Sequence, residues 1–391
     1  MTSILFSHIM PVILILGFTV SFSLLFRLNA GDRIPKALRI AFHAFNISGG
    51  FLCCAFILTE WPDCLWLRKL VSAYVFFWLY ILCNGMLVLV VSEIIRAGFM
   101  AFGKRYSRTV HVAAASLYVF AAVVIGYCNY RHIRVVEIGF AYDGEGYRID
   151  SGSIGSTGDG DPFRVVFASD VHLGAGIGPD RLGQFLDRIR SLDPDMVIFG
   201  GDLLDHGAEI PFEEGCAELI GSLDVPYGVY AVYGNHEYYA SDRKSVDEFY
   251  SKAGITVLRD SSVAIGDRIF ISGNDDAAGH SADQGFPGSE RLPSDRSVFR
   301  LGISHRPDRL ADYGYSGYDL ALCGHTHNGQ FFPGNLILKL ERKHSGNGCY
   351  SYGMYGLPGG SHGFVSCGLG LWGPHFRTFS QSEILLVKII R

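Results

Sequence analysis

The chain has 391 residues, 49% of them hydrophobic and only 18% charged, with a mean hydropathy of +0.22; the charged share lies below the roughly 25% of an average soluble domain, and the apolar balance excludes disorder. The formal net charge of −5 conceals an asymmetry: residues 1–134 hold 12 Lys and Arg against four Asp and Glu, and the remaining residues hold 21 against 34. An apolar, basic first third and an acidic remainder exclude a simple cytosolic globule, and the acidic part offers phosphate backbones no basic surface, so no nucleic-acid-binding surface is expected.

Residues 1–130 form a transmembrane region. Four apolar runs, at about 4–26, 39–59, 70–94 and 110–129, each approach or exceed the roughly 20 residues that cross a bilayer core as a helix, and they leave no polar face for water. No Lys or Arg precedes the first run and no small-residue cleavage site follows it, so it reads as a retained span rather than a cleaved leader. Basic residues in the short loops set the orientation. Arg27, Arg33, Lys36 and Arg39 in loop one, and Arg96, Lys104, Arg105 and Arg108 in loop three, outnumber Arg68 and Lys69 in loop two and Arg131 and Arg134 after span four. Loops one and three are therefore expected in the cytoplasm. The protein is expected to be a multi-pass inner-membrane protein, in contact with membrane lipid, with its C-terminal domain on the periplasmic, extracytoplasmic side. His43, Asn46 and Asn84 fall inside the spans and read as interhelical hydrogen-bonding groups.

Residues 131–161 read as a linker containing a strand or hairpin, closing in a Gly/Ser/Asp loop at 151–161. Residues 162–391 then alternate strand and helix patterns. RVVFASD (164–170), DMVIFGGD (195–202) and GVYAVYGN (228–235) read as buried strands, with helices at 179–191, 212–223 and 241–253. Beyond 256 strands dominate, at 263–272, 298–304, 319–323, 335–341, 363–367 and 383–390. This order implies a mixed α/β layered domain with a parallel core.

Open α/β sheets bind ligands beyond the carboxyl ends of their strands, and here those ends carry metal-ligand chemistry. The strands deliver Asp170 and His172; Asp202 and then Asp205; Asn235, His236 and Glu237; His305; and His325 and His327. Two of these Asp, the Asn and four of the His make a mixed oxygen and nitrogen shell, suited to borderline divalent ions rather than Ca²⁺. Seven ligands are too many for one ion that must keep an open position, and they suffice for two if one carboxylate bridges.

The blocks D-x-H (Asp170, His172), G-D-x-x-D (Gly201, Asp202, Asp205), G-N-H-E (Gly234 to Glu237), S-H-x-P-D (Ser304 to Asp308) and G-H-T-H (Gly324 to His327) stand in that order. They resemble the calcineurin-like metallophosphoesterases, nearest to the bacterial membrane-associated YkuE/YaeI type, over about residues 160–391. The resemblance implies two packed mixed sheets flanked by helices, an αββα sandwich. It implies two divalent ions, Mn²⁺ foremost with Fe or Zn²⁺ as alternatives. One ion would be held by Asp170, His172, Asp202 and His327, the other by Asp202, Asn235, His305 and His325. It further implies that His236 protonates the leaving oxygen, oriented by Asp205, while metal-activated hydroxide attacks a phosphomonoester or phosphodiester. The sequence departs from the family tail, with Cys367 where an Arg is common. Arg377 is a candidate substrate-phosphate contact, with an edge salt bridge as its alternative. Glu237 reads as a structural support, and His206 as a surface residue.

The substrate is thus a phosphoester, with a lipid-linked one among the options; no protein partner is inferable. A narrower alternative is pyrophosphate hydrolysis on a lipid-linked nucleotide sugar such as UDP-2,3-diacylglucosamine, which some relatives perform; the expected orientation opposes it. A transporter or sensor that only binds metal would not require His236 or Asp205. Three local readings remain two-sided: Phe331, Phe332, Leu336 and Ile337 are a lipid-facing lip or ordinary strand packing, 273–297 is a lid or a solvated loop, and Cys349 either pairs with Cys367 or stays free.

Overall fold

A computed structural model describes residues 10–30, 34–58, 64–103, 107–149, 161–279, 292–332, 334–344 and 350–391. Cys349 of the proposed Cys349–Cys367 pair and residues 280–291 of the proposed lid lie outside the described residues, as do residues 4–9 of the first apolar run. The chain divides into two compact units: Met1–Cys128 with Gly373–Thr378, and Asn129–Trp372 with Phe379–Arg391.

The first unit is built on helices α1 (Met10–Ala30), α2 (Lys36–Leu58), α3 (Leu65–Ala101) and α4 (Arg108–Arg131). All four are long and apolar enough to cross a membrane. Helix α3 has 37 residues, about 55 Å at 1.5 Å per residue, so it outruns a bilayer core of roughly 30 Å. Small residues let the helices approach closely: a methyl group at Gly49 would fall 2.1 Å from the ring of the buried Trp78. Asn46 is saturated, its amide donating to the Thr19 carbonyl (2.8 Å) and the Ser23 hydroxyl (2.9 Å) while its oxygen accepts the Trp78 indole N–H (3.1 Å). Asn84 donates to the Tyr80 carbonyl and accepts from the Tyr118 hydroxyl. The intramembrane polar groups are thus interhelical fasteners. Segment 373–378 packs with these helices, Phe376 stacking on Tyr80 with ring centroids 4.3 Å apart.

The second unit is an αββα sandwich, as the motif resemblance implied. One sheet has seven strands in the order β2-β1-β13-β3-β4-β5-β6 and the other six, β11-β12-β10-β9-β8-β7. The first comprises β1 (Ile133–Tyr142), β2 (Tyr147–Ile149), β3 (Phe163–Ala168), β4 (Met196–Gly200), β5 (Val229–Val232), β6 (Ile255–Val257) and β13 (Ser382–Ile390). The second comprises β7 (Ser261–Ile265), β8 (Ile269–Gly273), β9 (Phe299–Ile303), β10 (Leu320–Cys323), β11 (Gly353–Gly356) and β12 (His362–Val365). Strands β3 to β6 run parallel, as do β8, β9, β10 and β12. Alternation sorts the side chains of β3. Val165 and Phe167 enter the core between the sheets with Ile198, Leu301 and Leu322, while Val166 and Ala168 face the outer core with Phe185 and Phe249. Those last two belong to α5 (Pro179–Arg190) and, after short helices α6 (Glu209–Glu213), α7 (Cys216–Gly221) and α8 (Asn235–Tyr239), to α9 (Arg243–Lys252). Helix α10 (Leu310–Ser316) covers the other sheet through Leu310 and Tyr313.

Two sequence expectations are corrected and one is extended. The hairpin expected within 131–161 is present, β1 pairing antiparallel with β2, and it also joins the first sheet: β1 pairs in parallel with β13 over nine residues. Local pattern cannot show a partner some 250 residues away. The expected helix 212–223 is split, because Gly215 adopts a left-handed φ of 72° between α6 and α7. The expected strand 335–341 is a helix, α11 (Gly334–His344); its apolar run suits both periods, and the helical spacing of its residues prevails.

Candidate metal centre

The first three blocks lie just beyond the carboxyl ends of β3, β4 and β5, the last two beyond β9 and β10, so both sheets deliver side chains to one end of the sandwich. The backbone there is strained. Nine described residues other than glycine have a left-handed φ, and five are predicted ligands: Asp170, His172, Asp202, His325 and His327. Such conformations cost roughly 1–3 kcal/mol each and persist where surrounding structure over-determines them. The motif glycines have a spatial reason. A methyl group at Gly234 would fall 2.2 Å from Asp202 Oδ1, and one at Gly324 would fall 2.4 Å from Asp170 Oδ2.

The predicted ligands converge in two sets. In one, His172 Nε2 lies 3.1 Å from His327 Nε2, which is 3.4 Å from Asp170 Oδ1, and His172 Nε2 is 3.8 Å from Asp202 Oδ2. In the other, His305 Nε2 lies 3.1 Å from the same Asp202 Oδ2 and 3.2 Å from His325 Nδ1. Ligands about 2.0–2.2 Å from a common cation stand roughly 2.9–3.5 Å from each other, so nearly all these separations are those of a shared ion. Asn235 sits between Gly234 and His236, whose N–H donates to Asp202 Oδ1 (2.9 Å). Its own Oδ1 is buried without a hydrogen-bond partner among the described residues, a costly condition that a cation relieves. The residues present fit two divalent ions.

Surrounding groups hold the ligands in place. Ser169 Oγ donates to Asp170 Oδ2 (2.6 Å), and the His325 N–H donates to Asp170 Oδ1 (3.0 Å). The Gly200 carbonyl accepts from His305 Nδ1 (2.9 Å), fixing which nitrogen faces Asp202. Glu237 is fully buried and accepts the N–H groups of Asp202, Leu204 and Gly234, at 3.0, 3.0 and 2.8 Å, and the hydroxyl of Tyr250 at 2.9 Å. It ties two ligand loops together and is a structural support, as the sequence suggested.

Electrostatics follows from this crowding. Burial pushes the Asp202 carboxyl up, but His305, His172 and His236 outweigh it and hold it below the usual carboxylate range. Burial pulls His305 down, yet the Asp202 charge prevails and lifts it to about 10. His325 is lowered to about 4, first by burial and then by the positive charges of His305 and Arg306. In the metal-free protein a proton thus stands on His305 beside Asp202, and cation binding must displace it. His236 is opposed by burial but raised to about 9 by its hydrogen bond to Asp205 and the Asp202 charge. Its Nδ1 donates to the Asp205 backbone carbonyl at 2.6 Å, with the Asp205 carboxylate 3.1 Å away. The main chain therefore orients this ring as well as the carboxylate.

The structure does not bring Arg377 into either set. It belongs to the helical unit, is fully buried, and its N–H donates to the Gly126 carbonyl (2.9 Å). His206 is exposed, as the sequence suggested, yet it stands beside the centre: its Nδ1 lies 3.1 Å from Asp205 Oδ1, and its ring centroid is 5.1 Å from that of His236. One neighbour of the centre escaped the sequence reading. Arg306, inside the S-H-x-P-D block, donates to the buried Asp276 (2.9 Å).

The model of the calcineurin-like phosphoesterase family matches residues 163–329, which span all five blocks. An uncharacterised metallophosphoesterase of Aquifex aeolicus is 30% identical over 69% of this chain and 98% of its own length. YkuE of Bacillus subtilis, also an uncharacterised metallophosphoesterase, is 29% identical over 59% of this chain and 79% of its own. A "transmembrane protein with metallophosphoesterase domain" from Danio rerio is 28% identical over 57% of this chain and 52% of its own. Other bacterial relatives are matched over only 59–60% of their length. The four membrane-capable helices here, together with relatives described as transmembrane proteins, suggest a membrane protein. The chain belongs to the calcineurin-like metallophosphoesterase family.

Proposed function

We propose that the protein is a membrane-anchored dimetal phosphoesterase that hydrolyses phosphomonoester or phosphodiester bonds. The observation that carries this reading is Asp202, whose Oδ2 is common to both ligand sets. Asp170, His172, Asp202 and His327 hold one divalent ion, and Asp202, Asn235, His305 and His325 hold the other. When bound, the pair supplies an acidified water and positive charge for the phosphoryl oxygens. Within the chain's own residues, His236 carries a proton on Nε2, its Nδ1 being engaged, and donates it to the leaving oxygen. Asp205 holds that ring by backbone and side chain. Glu237 keeps the Asp202 and Gly234 loops in register.

The basic residues of loops one and three support a domain facing out of the cytoplasm. That placement disfavours a cytoplasmic lipid-linked nucleotide substrate. A reporter joined after Arg391 should read as extracytoplasmic; a cytoplasmic readout would reverse that preference.

The deciding experiment is elemental analysis of the full chain after chelation and reloading with Mn²⁺, with phosphoester turnover measured on the same sample. Two ions per active chain are expected, and Asp202→Asn should lose most of both, with activity falling by more than the about 100-fold typical of an outer partner's loss. A fully active wild type holding one ion would refute the shared-carboxylate reading.

A further inference from the structure

Helix α11 begins seven residues after His327 and presents an exposed apolar stripe. Leu336, Ile337 and Leu340 are 45%, 51% and 48% exposed. At 100° per residue they occupy one face about 100° wide, while Leu338, on the opposite side, is half-buried. The stripe is not alone. Trp372 is 52% exposed and Phe379 64%. Trp372 is fastened beside the start of the helix, its N–H donating to Gln330 Oε1 (3.1 Å) and its carbonyl accepting from Gln330 Nε2 (3.0 Å). Phe379 packs edge-on against Phe332, centroids 6.0 Å apart. Gly329 allows the helix to start against this loop, since a methyl group there would fall 2.3 Å from the Asn335 nitrogen. Three large apolar side chains on α11 are thus joined by Trp372 and Phe379, which are fastened to Gln330 and Phe332 between the helix and a metal-ligand loop.

We propose that α11, Trp372 and Phe379 form an interfacial membrane face, lying in the lipid–water boundary of the bilayer that the chain itself spans. Three observations select lipid as the occupant. The chain carries four membrane-capable helices, so a bilayer is always at hand. Trp372 and Phe379 are the immediate sequence neighbours of segment 373–378, which packs among those helices. The helix sequence is also basic: exposed Lys339 falls about 60° round from Leu336, and GNLILKLERKH carries Lys339, Arg342, Lys343 and His344 against the single acid Glu341. Apolar stripe, basic residues and a boundary Trp are the features of helices that lie in the headgroup layer.

The test uses the full chain in phosphatidylglycerol-containing nanodiscs. A photoreactive benzoylphenylalanine is placed at Ile337, and in a second protein at Leu340 in case the first fails to fold. Both should form adducts with tail-labelled phospholipid at a yield within about threefold of the same group at Leu24 in α1. Lys244, exposed on α9, should give at least about tenfold less. Absence of lipid adducts at 337 and 340 while Leu24 labels would overturn the proposal. So would equal labelling at Lys244, or cross-links to protein in place of lipid.

Discussion

Both units bury polar side chains, and the contrast between the two sets shows how to tell a fastener from a working group. In the helical unit each buried amide is balanced: Asn46 uses its donors and its acceptor on three neighbours, leaving nothing for a ligand. At the strand ends of the sandwich the balance fails. Imidazole nitrogens face one another at 3.1 and 3.2 Å, Asn235 Oδ1 has no partner among the described residues, and five ligands sit in strained backbone. Buried polar groups in native proteins are normally satisfied. Where several go unsatisfied together, the missing partner is a ligand.

If this contrast is sound, deleting a working group should change rates without unfolding the chain, and deleting a fastener should do the reverse. The largest effect is expected at His236. His236→Ala should keep both metals yet cut turnover of alkyl phosphoesters by about 10²–10⁴-fold. Nitrophenyl esters, whose leaving group departs without a proton, should suffer less. Asp205→Asn should give a weaker copy, because the backbone carbonyl still holds the ring. Equal losses on both ester classes would remove the proton-donor role.

Glu237 lies between the two categories. Glu237→Gln preserves volume but points an amide donor at backbone N–H groups. It should destabilise the domain by about 1–3 kcal/mol, seen as a lower thermal midpoint, and reduce metal occupancy. Unchanged stability with lost turnover would instead place Glu237 in the chemistry. The smallest effect is expected in the membrane helices, where Asn46→Leu should cost about 0.6 and at most about 1.7 kcal/mol and leave the rate per metal-loaded chain within twofold. A large loss of turnover would erase the distinction between the two sets.

Much of this was legible in the residues, for identifiable reasons. Spans announce themselves by length and uniform apolarity, and the site by acids and imidazoles at successive strand ends. What the residues hid was non-local or conformational. Arg377 looked like a phosphate contact because of its charge, yet it is buried among the helices; no sequence signal reports that packing. The run at 335–341 fits a strand and a helix equally, so its face became visible only once α11 was seen. Left-handed φ at Asp170 or His172 leaves no compositional trace, since those side chains are chosen for chemistry rather than for the turn. Glu237 was recognisable as a support, but its grip on three separate N–H groups depends on loops that meet only in the fold.

The position of β13 has a consequence for biosynthesis. Strand 382–390 is inserted between β1 and β3, parallel to one and antiparallel to the other, so the seven-stranded sheet stays split until residue 390 has been made. During that interval β3 presents an open edge, the kind of template that invites pairing with another chain, while more than 200 residues are still being added. The nascent protein therefore faces its greatest aggregation hazard late in synthesis, with its spans already able to insert and its sandwich still incomplete. Its yield in cells should depend on how quickly the final strand reaches that gap.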